Sequence, residues 1–249
     1  MKVIVKNLAT EYKDEGVGKV LLFLHGWQDN LHSFDSLAVS LSSDYRIIRL
    51  DLPGFGGTEA PKEVWELNDY AEFVEDFISK LGINVYALIG HSFGGRIAIK
   101  GNATGRIKMD KMVLIGSAGI SKSNTFRSSI LKILAKIGGL LLYIPPFIFW
   151  RSELRKKIYV LIGSDYLNAG ALKETFLKII KEDLTTAAEE IKTPTLLIWG
   201  ENDTETPVSD GRKFSRLIRN SELKTVNGAG HFAHSEKPQE VTNLIRGFL

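Results

Sequence analysis

Residues 90–94 read Gly-His-Ser-Phe-Gly, a G-x-S-x-G pattern centred on Ser92. A serine hydroxyl becomes a useful nucleophile only when a neighbouring base takes its proton. The pattern also has a backbone meaning. Glycines two positions either side of the serine let a strand pass into a helix through one strained residue. The hydroxyl then stands above a sheet at a helix N-terminus, where negative charge is favoured. The apolar run at residues 85–89 and the helix-like stretch at 96–100 supply that context.

The base has to be one of five histidines, His25, His32, His91, His231 and His234. His91 adjoins the serine, and the turn points it elsewhere. His231 lies in the glycine-rich run Asn227-Gly228-Ala229-Gly230-His231-Phe232, after a strand candidate and before the last helix, where a loop can lay an imidazole beside Ser92. His234 reads as a surface or helix-capping residue. A base of this kind needs a carboxylate that sets its tautomer and stabilises the imidazolium. Asp203, in the loop that follows the strand at residues 195–199, is the choice. Its neighbours Glu201 and Glu205 read as solvated, and Asp51 and Asp110 are the outside alternatives. The order is then Ser92, Asp203, His231, each on a loop after a strand.

Attack on an acyl carbon creates an oxyanion that preorganised N–H groups must hold. The backbone N–H of Phe93 is one expected donor. The second is the N–H of Trp27, in the loop His25-Gly26-Trp27-Gln28 after the strand at residues 20–24, with Gly26 allowing close approach to substrate.

The elements that must carry these residues are legible in outline. Short apolar runs alternate with amphipathic stretches, the pattern of a parallel sheet flanked by helices. Strands are expected at residues 3–5, 8–12, 20–24, 45–50, 85–89, 112–115, 195–199 and, more weakly, 222–226, with Asp14-Glu15-Gly16 as a turn. Helices are expected at 68–81, stopped by Gly82, and at 238–248. The alternation breaks after Gly119 and resumes at Pro194. Residues 121–190 therefore read as a helical cap inserted in a core made of 1–120 and 191–249. In the cap, Leu142, Tyr143, Phe147 and Trp150 are candidates for an apolar pocket wall together with Phe232.

Composition bounds the rest. With 249 residues, 44% of them hydrophobic, the chain can bury a large core without a metal or disulfide staple. It has no cysteine, which removes thiol catalysis and thiolate metal sites. A net charge of +3 without a clustered basic face gives no reason to expect nucleic acid as a partner. The uncharged stretch at residues 137–150 is too short and too proline-broken to span a bilayer. The first six residues are too short an apolar stretch for a signal peptide, so a cytoplasmic protein is expected. Oligomeric state is open. The expected partner is a small-molecule ester or acyl substrate, with no metal or organic cofactor.

His25-Gly26-Trp27, residues 51–58 (Asp-Leu-Pro-Gly-Phe-Gly-Gly-Thr), Gly90-His91-Ser92-Phe93-Gly94-Gly95, residues 200–207 and residues 228–232 together resemble the α/β-hydrolase superfamily. The resemblance covers nearly the whole chain outside the cap. It implies a mostly parallel eight-stranded sheet with the cap inserted after strand six. It also implies that His25 and Gly26 support the oxyanion loop, and that residues 51–58 form a structural loop. A serine nucleophile argues against dehalogenase and epoxide-hydrolase activity, whose relatives use Asp. Many carbon–carbon-bond hydrolases of the superfamily carry Trp where this chain has Phe232, which argues against cleavage of diketone-type products. The expected function is serine carboxylester hydrolysis through an acyl-enzyme on Ser92. Carbon–carbon-bond or thioester hydrolysis, acyl transfer, and a ligand-binding protein that retains the triad without turnover are the alternatives.

Overall fold

The computed structural model describes residues 1–120 and 170–249. The chain divides into two compact units, residues 1–120 with 178–249, and residues 121–177. All eight described strands lie in the first. They are β1 (Lys2–Val5), β2 (Leu8–Glu15), β3 (Val20–Leu24), β4 (Arg46–Leu50), β5 (Val85–His91), β6 (Lys111–Ile115), β7 (Thr195–Gly200) and β8 (Ser221–Val226). They form one sheet in the order β1-β2-β4-β3-β5-β6-β7-β8. The pairs β1–β2 and β2–β4 are antiparallel, and every pair from β4 through β8 is parallel. The expected eight-stranded, mostly parallel architecture is therefore the observed one.

Burial explains why the central runs are strands. Every residue of β3 and β7 is buried, as a strand covered on both faces requires. At the antiparallel edge, Lys6 and Asn7 both take positive φ (46° and 61°) in the two-residue turn between β1 and β2. The turn expected at Asp14-Glu15-Gly16 begins only at Gly16, two residues later than expected. Asp14 and Glu15 stay in β2, opposite Ile48 and Ile47 of β4. Charge pairing holds them there: Arg46 binds both oxygens of Asp14 at 2.9 and 2.6 Å, and the buried Arg49 binds Glu15 and Asp35. Apolar patterning is blind to a strand end carried by ion pairs.

The helices of the described residues are α1 (Asp35–Leu41), α2 (Leu67–Leu81), α3 (Phe93–Ala103), α4 (Lys173–Lys181), α5 (Thr185–Glu189), α6 (Val208–Leu217), α7 (Ala233–Glu236) and α8 (Pro238–Phe248). In α2, Tyr70, Phe73, Val74 and Phe77 are fully buried at helical spacing, each contributing about 1.5–3 kcal/mol of burial. A reciprocal cap of Glu66 and Asp69 opens it, and left-handed Gly82 (φ 61°) closes it. Helix α1 escaped the sequence reading although Leu37, Ala38 and Leu41 are buried at the right spacing. It is only two turns long, and one turn of 3₁₀ helix, Leu31–Phe34, precedes it. Among the described residues no helix is long and apolar enough to cross a membrane.

Helix α3 is the central one, with Ile97, Ala98 and Ile99 wholly buried. It lies so close to β3 that a Cβ on Gly94 would sit 2.0 Å from the carbonyl oxygen of Leu24 and 2.8 Å from that of His25. Both obstacles are backbone and cannot rotate away. Gly94→Ala is therefore expected to cost about 3 kcal/mol or more. Gly247→Ala, at a helical position with open space around it, should stabilise by about 0.5 kcal/mol. Urea unfolding midpoints of the two variants check this. A Gly94→Ala midpoint equal to the parent's would show that β3 and α3 are not in tight contact.

Candidate active site

Strand β5 ends at His91 and α3 begins at Phe93, so Ser92 alone makes the turn. Its dihedrals are φ 48° and ψ −105°, a conformation that costs a non-glycine residue about 1–3 kcal/mol. Backbone hydrogen bonds impose it. The Ser92 N–H donates to Ile115 O at 3.0 Å, and Ser92 O accepts from Arg96 and Ala118 N–H at 3.2 Å each. The flanking glycines are needed for space. A Cβ at Gly90 would lie 2.7 Å from the backbone of Gly94 and Gly95, and one at Gly95 would strike the Ser117 hydroxyl. Phe93, the first helical residue, has an N–H with no acceptor inside the helix.

The loops after β7 and β8 bring Asp203 and His231 together. His231 Nδ1 lies 2.8 Å from Asp203 Oδ2, with both side chains almost wholly buried. The carboxylate is well held. Its Oδ1 accepts from the backbone N–H of Glu205 and Thr206, both at 2.9 Å, and the Thr206 hydroxyl reaches Oδ2 at 2.9 Å. Burial alone would push the Asp203 carboxyl up, but the hydrogen bond and charge of His231 and the donors from Thr206 outweigh it and hold it below the usual range. The histidine loop is anchored on three sides. Asn202 N–H donates to Ala229 O at 2.8 Å, Glu236 accepts from Gly230 and Phe232 N–H, and His91 Nε2 lies 3.1 Å from the His231 carbonyl. That last bond ties the backbone of the candidate base to the residue beside Ser92.

The loop after β3 meets the same spot. A Cβ on Gly26 would stand 3.6 Å from Ser92 Cβ and a tight 3.0 Å from His91 Nδ1, so this backbone runs close beside the serine. His25 is fully occupied: Nδ1 donates to Gly26 O at 2.7 Å and Nε2 accepts from Leu52 N–H at 2.9 Å. Asp51 clamps the neighbouring loops, accepting from Leu31 and Gly57 N–H, both at 2.7 Å. The ring of Trp27 packs edge-on against Phe55 and Phe93. Ser92, Gly26, Asp203 and His231 thus stand on loops at one edge of the sheet. Leu142, Tyr143, Phe147 and Trp150, and the stretch at 137–150, lie outside the described residues. Phe232 is 41% exposed, with its ring 5.1 Å from that of His91.

Three features escaped the sequence reading. Thr206 braces Asp203 and also reaches the Gly116 carbonyl at 2.9 Å. A threonine three residues after an acid in a strand-end loop was the only signal. Glu205 and Glu201 are more than solvated acids: Glu205 Oε2 lies 3.4 Å from His231 Nε2, and Glu201 accepts from Gly228 N–H at 3.0 Å. His234 is neither on the surface nor a cap. It is fully buried, with its ring 4.9 Å from that of Phe34 and 4.5 Å from that of His91. The helix α7 that carries it is too short for periodicity to reveal its inner face.

A mostly parallel sheet with a serine on a strained strand-to-helix turn, and an Asp–His pair on the loops after its last two strands, defines the α/β-hydrolase class. The sequence model of the alpha/beta hydrolase family matches residues 21–244, and the chain belongs to that family of hydrolases. It is 27% identical to the AB hydrolase superfamily protein YisY of Bacillus subtilis (strain 168), over 95% of this chain and 93% of that protein. It is 26% identical to a 2-hydroxy-6-oxononadienedioate/2-hydroxy-6-oxononatrienedioate hydrolase of Escherichia coli O139:H28, over 98% and 92%. Among solved structures it resembles Est816, described as an N-acyl homoserine lactone degrading enzyme, with a TM-score of 0.77, 22% identity and full coverage of both chains. At that identity the likeness speaks for the fold.

Three buried imidazoles surround the site. Burial holds His25 and His91 below 6.5, and takes His234 down to about 3. The unfolded chain therefore binds protons that the native state refuses as pH falls below 6.5. Stability is complete above that value and drops by up to about 1.4 kcal/mol per pH unit for each imidazole below it. Unfolding midpoints taken from pH 7.5 to 4.5 should decline steadily below 6.5. A flat profile would mean that these rings are solvated.

Proposed function

We propose that the chain hydrolyses carboxylic esters of small to medium apolar substrates through an acyl-enzyme on Ser92. The observation that carries this reading is the buried His231–Asp203 pair, 2.8 Å apart, on loops that converge on a serine held in a strained turn. In the proposed reaction His231 Nε2 takes the Ser92 proton as Oγ attacks the ester carbonyl. The backbone N–H groups of Phe93 and Trp27 receive the oxyanion. The tetrahedral species collapses, and His231 gives the proton to the leaving alkoxide, which departs as the alcohol. Water, deprotonated by His231, then attacks the acyl-enzyme and frees the acid and the serine. Glu205 Oε2 faces Nε2 across 3.4 Å, but its side chain is 60% exposed, so it can swing into water at little cost when substrate arrives.

One observation favours a second reading. The E. coli relative, similar over 98% of this chain, is named as a hydrolase of 2-hydroxy-6-oxononadienedioate and 2-hydroxy-6-oxononatrienedioate. The same serine, base and N–H pair would serve carbon–carbon-bond cleavage.

Short-chain p-nitrophenyl esters and a diketone ring-fission substrate, assayed side by side, separate the two readings. Faster turnover of the diketone would replace the ester assignment. Ser92→Ala and His231→Ala are each expected to lower kcat by a factor of about a thousand or more, and the double variant to be no worse than either single one. Asp203→Asn should lower kcat by about 10⁴ while the fold persists. Ester turnover undiminished in Ser92→Ala would sink the mechanism. Stoichiometric binding of an ester without turnover by the parent protein would point to a ligand-binding role.

A further inference from the structure

Behind the candidate nucleophile lies a polar cluster for which the acyl-transfer chemistry has no use. Asp29, His91 and His234 each offer a ligand atom, and these atoms all lie within 4.8 Å of one another. They come from three separate places: the loop after β3, the end of β5 and the short helix α7. His91 and His234 are 1% and 0% exposed. Four buried atoms of the cluster have no hydrogen-bond partner, namely Asp29 Oδ2, His91 Nδ1, and Nδ1 and Nε2 of His234. Each would cost about 1–3 kcal/mol if left so. The ring of His234 packs against Phe34, His91 and Phe232, aromatic contacts that do not themselves require an imidazole.

We infer that Asp29, His91 and His234 form a binding site for one divalent transition-metal cation of the zinc class, structural rather than catalytic in role. Two imidazoles and one carboxylate are a nitrogen-rich set of borderline softness, suited to Zn²⁺, Co²⁺ or Ni²⁺ and unsuited to the oxygen-seeking Mg²⁺ and Ca²⁺. The tautomer of His91 is the right one. Its Nε2 donates to the His231 carbonyl, so its Nδ1 carries a lone pair toward the cluster. A histidine that ligates through one nitrogen and donates to a carbonyl through the other is the usual outer arrangement of a metal site. Asp29 is oriented likewise, with Oδ1 accepting from Asn30 N–H at 2.8 Å and Oδ2 left over. A contraction of about 1.5 Å brings the outermost atoms from 4.8 Å to the roughly 3.3 Å ligand separations of a tetrahedral 2.0–2.1 Å coordination sphere. Solvent would complete the shell. The other histidines are poor competitors: His25 has both nitrogens engaged and His32 is an exposed partner of Asp35. A cation here would lock the loop after β3 to His91, and through His91 the backbone of His231. It would pin three parts of the site without touching substrate.

The test uses untagged full-length protein stripped with EDTA and dialysed. Titration with Zn²⁺ is expected to bind one ion per chain, and at a hundredfold excess over Kd to raise Tm by about 5–10 °C. Co²⁺ is expected to give the visible d–d bands of nitrogen ligation in a low-coordinate site. Both responses should vanish in His234→Phe and weaken at least tenfold in the isosteric Asp29→Asn, which keeps the proposal testable if the first variant folds poorly. They should persist in His32→Ala and Glu205→Gln. One ion that survives in His234→Phe but is lost in Glu205→Gln would place the metal on His231 and overturn the proposal. Absence of binding by the parent protein, with His234→Phe at least as stable, would overturn it in favour of trapped water.

Discussion

The molecule is organised around one residue in a costly conformation. Ser92 can hold φ 48° only because β6 supplies an acceptor for its N–H, while α3 and the loop after β6 supply donors to its carbonyl. Each of those bonds fixes a neighbour as well as the serine. The β5–β6 register must place His91 opposite Ile115, α3 must start at once, and the chain after β6 must fold back over the turn. Small residues are then obligatory at 90, 94 and 95, where any Cβ would meet backbone or the Ser117 side chain. Strain of about 1–3 kcal/mol is sustainable because the packing of fully buried β3 and largely buried β5 and α3 leaves the chain no other path.

Once the turn exists, the strand order decides what can reach it. In a parallel sheet the loops after successive strands emerge at the same edge, so β3, β5, β7 and β8 present residues 25–29, 92, 200–207 and 227–232 to one another. A Cβ on Gly200 would lie 2.0 Å from the Gly230 carbonyl oxygen, which shows how tightly the Asp203 and His231 loops are pressed together. Trp199 Nε1 donates to Thr206 O, and Glu236 ties down the N–H groups on both sides of His231. The 2.8 Å contact between His231 and Asp203 is therefore a property of two braced loops.

Much of this was legible in the sequence, for reasons that differ by element. The strands β3, β5, β6 and β7 announce themselves because burial on both faces demands unbroken apolar runs. Strand β8 was faint because it is the edge strand, mostly half-exposed, and admits Ser221, Glu222 and Lys224. The end of β2 was hidden because ion pairs, and not apolar residues, hold Asp14 and Glu15 in register. Ser92, Asp203 and His231 could be picked out because their chemistry fixes their position relative to strand ends. Thr206 and Glu205 could not, because they act through contacts formed only once the loops have folded.

His234 is the most instructive misreading. An imidazole is small enough to pack as an aromatic and polar enough to sit at a surface, so its type says nothing about its burial. What distinguishes it is its company. His91, His231, Phe232 and Phe34 all crowd within ring contact of one another or of His234. Burial and mutual repulsion hold His91 and His234 neutral, since a charge on either ring would be desolvated. The environment that keeps His91 and His234 uncharged also surrounds His231, whose proposed role requires it to gain a charge briefly. The difference between them is Asp203: His231 has a carboxylate at hydrogen-bond distance from Nδ1, whereas His91 meets a backbone carbonyl. A single carboxylate thus sorts chemically identical side chains into a candidate base and its supports.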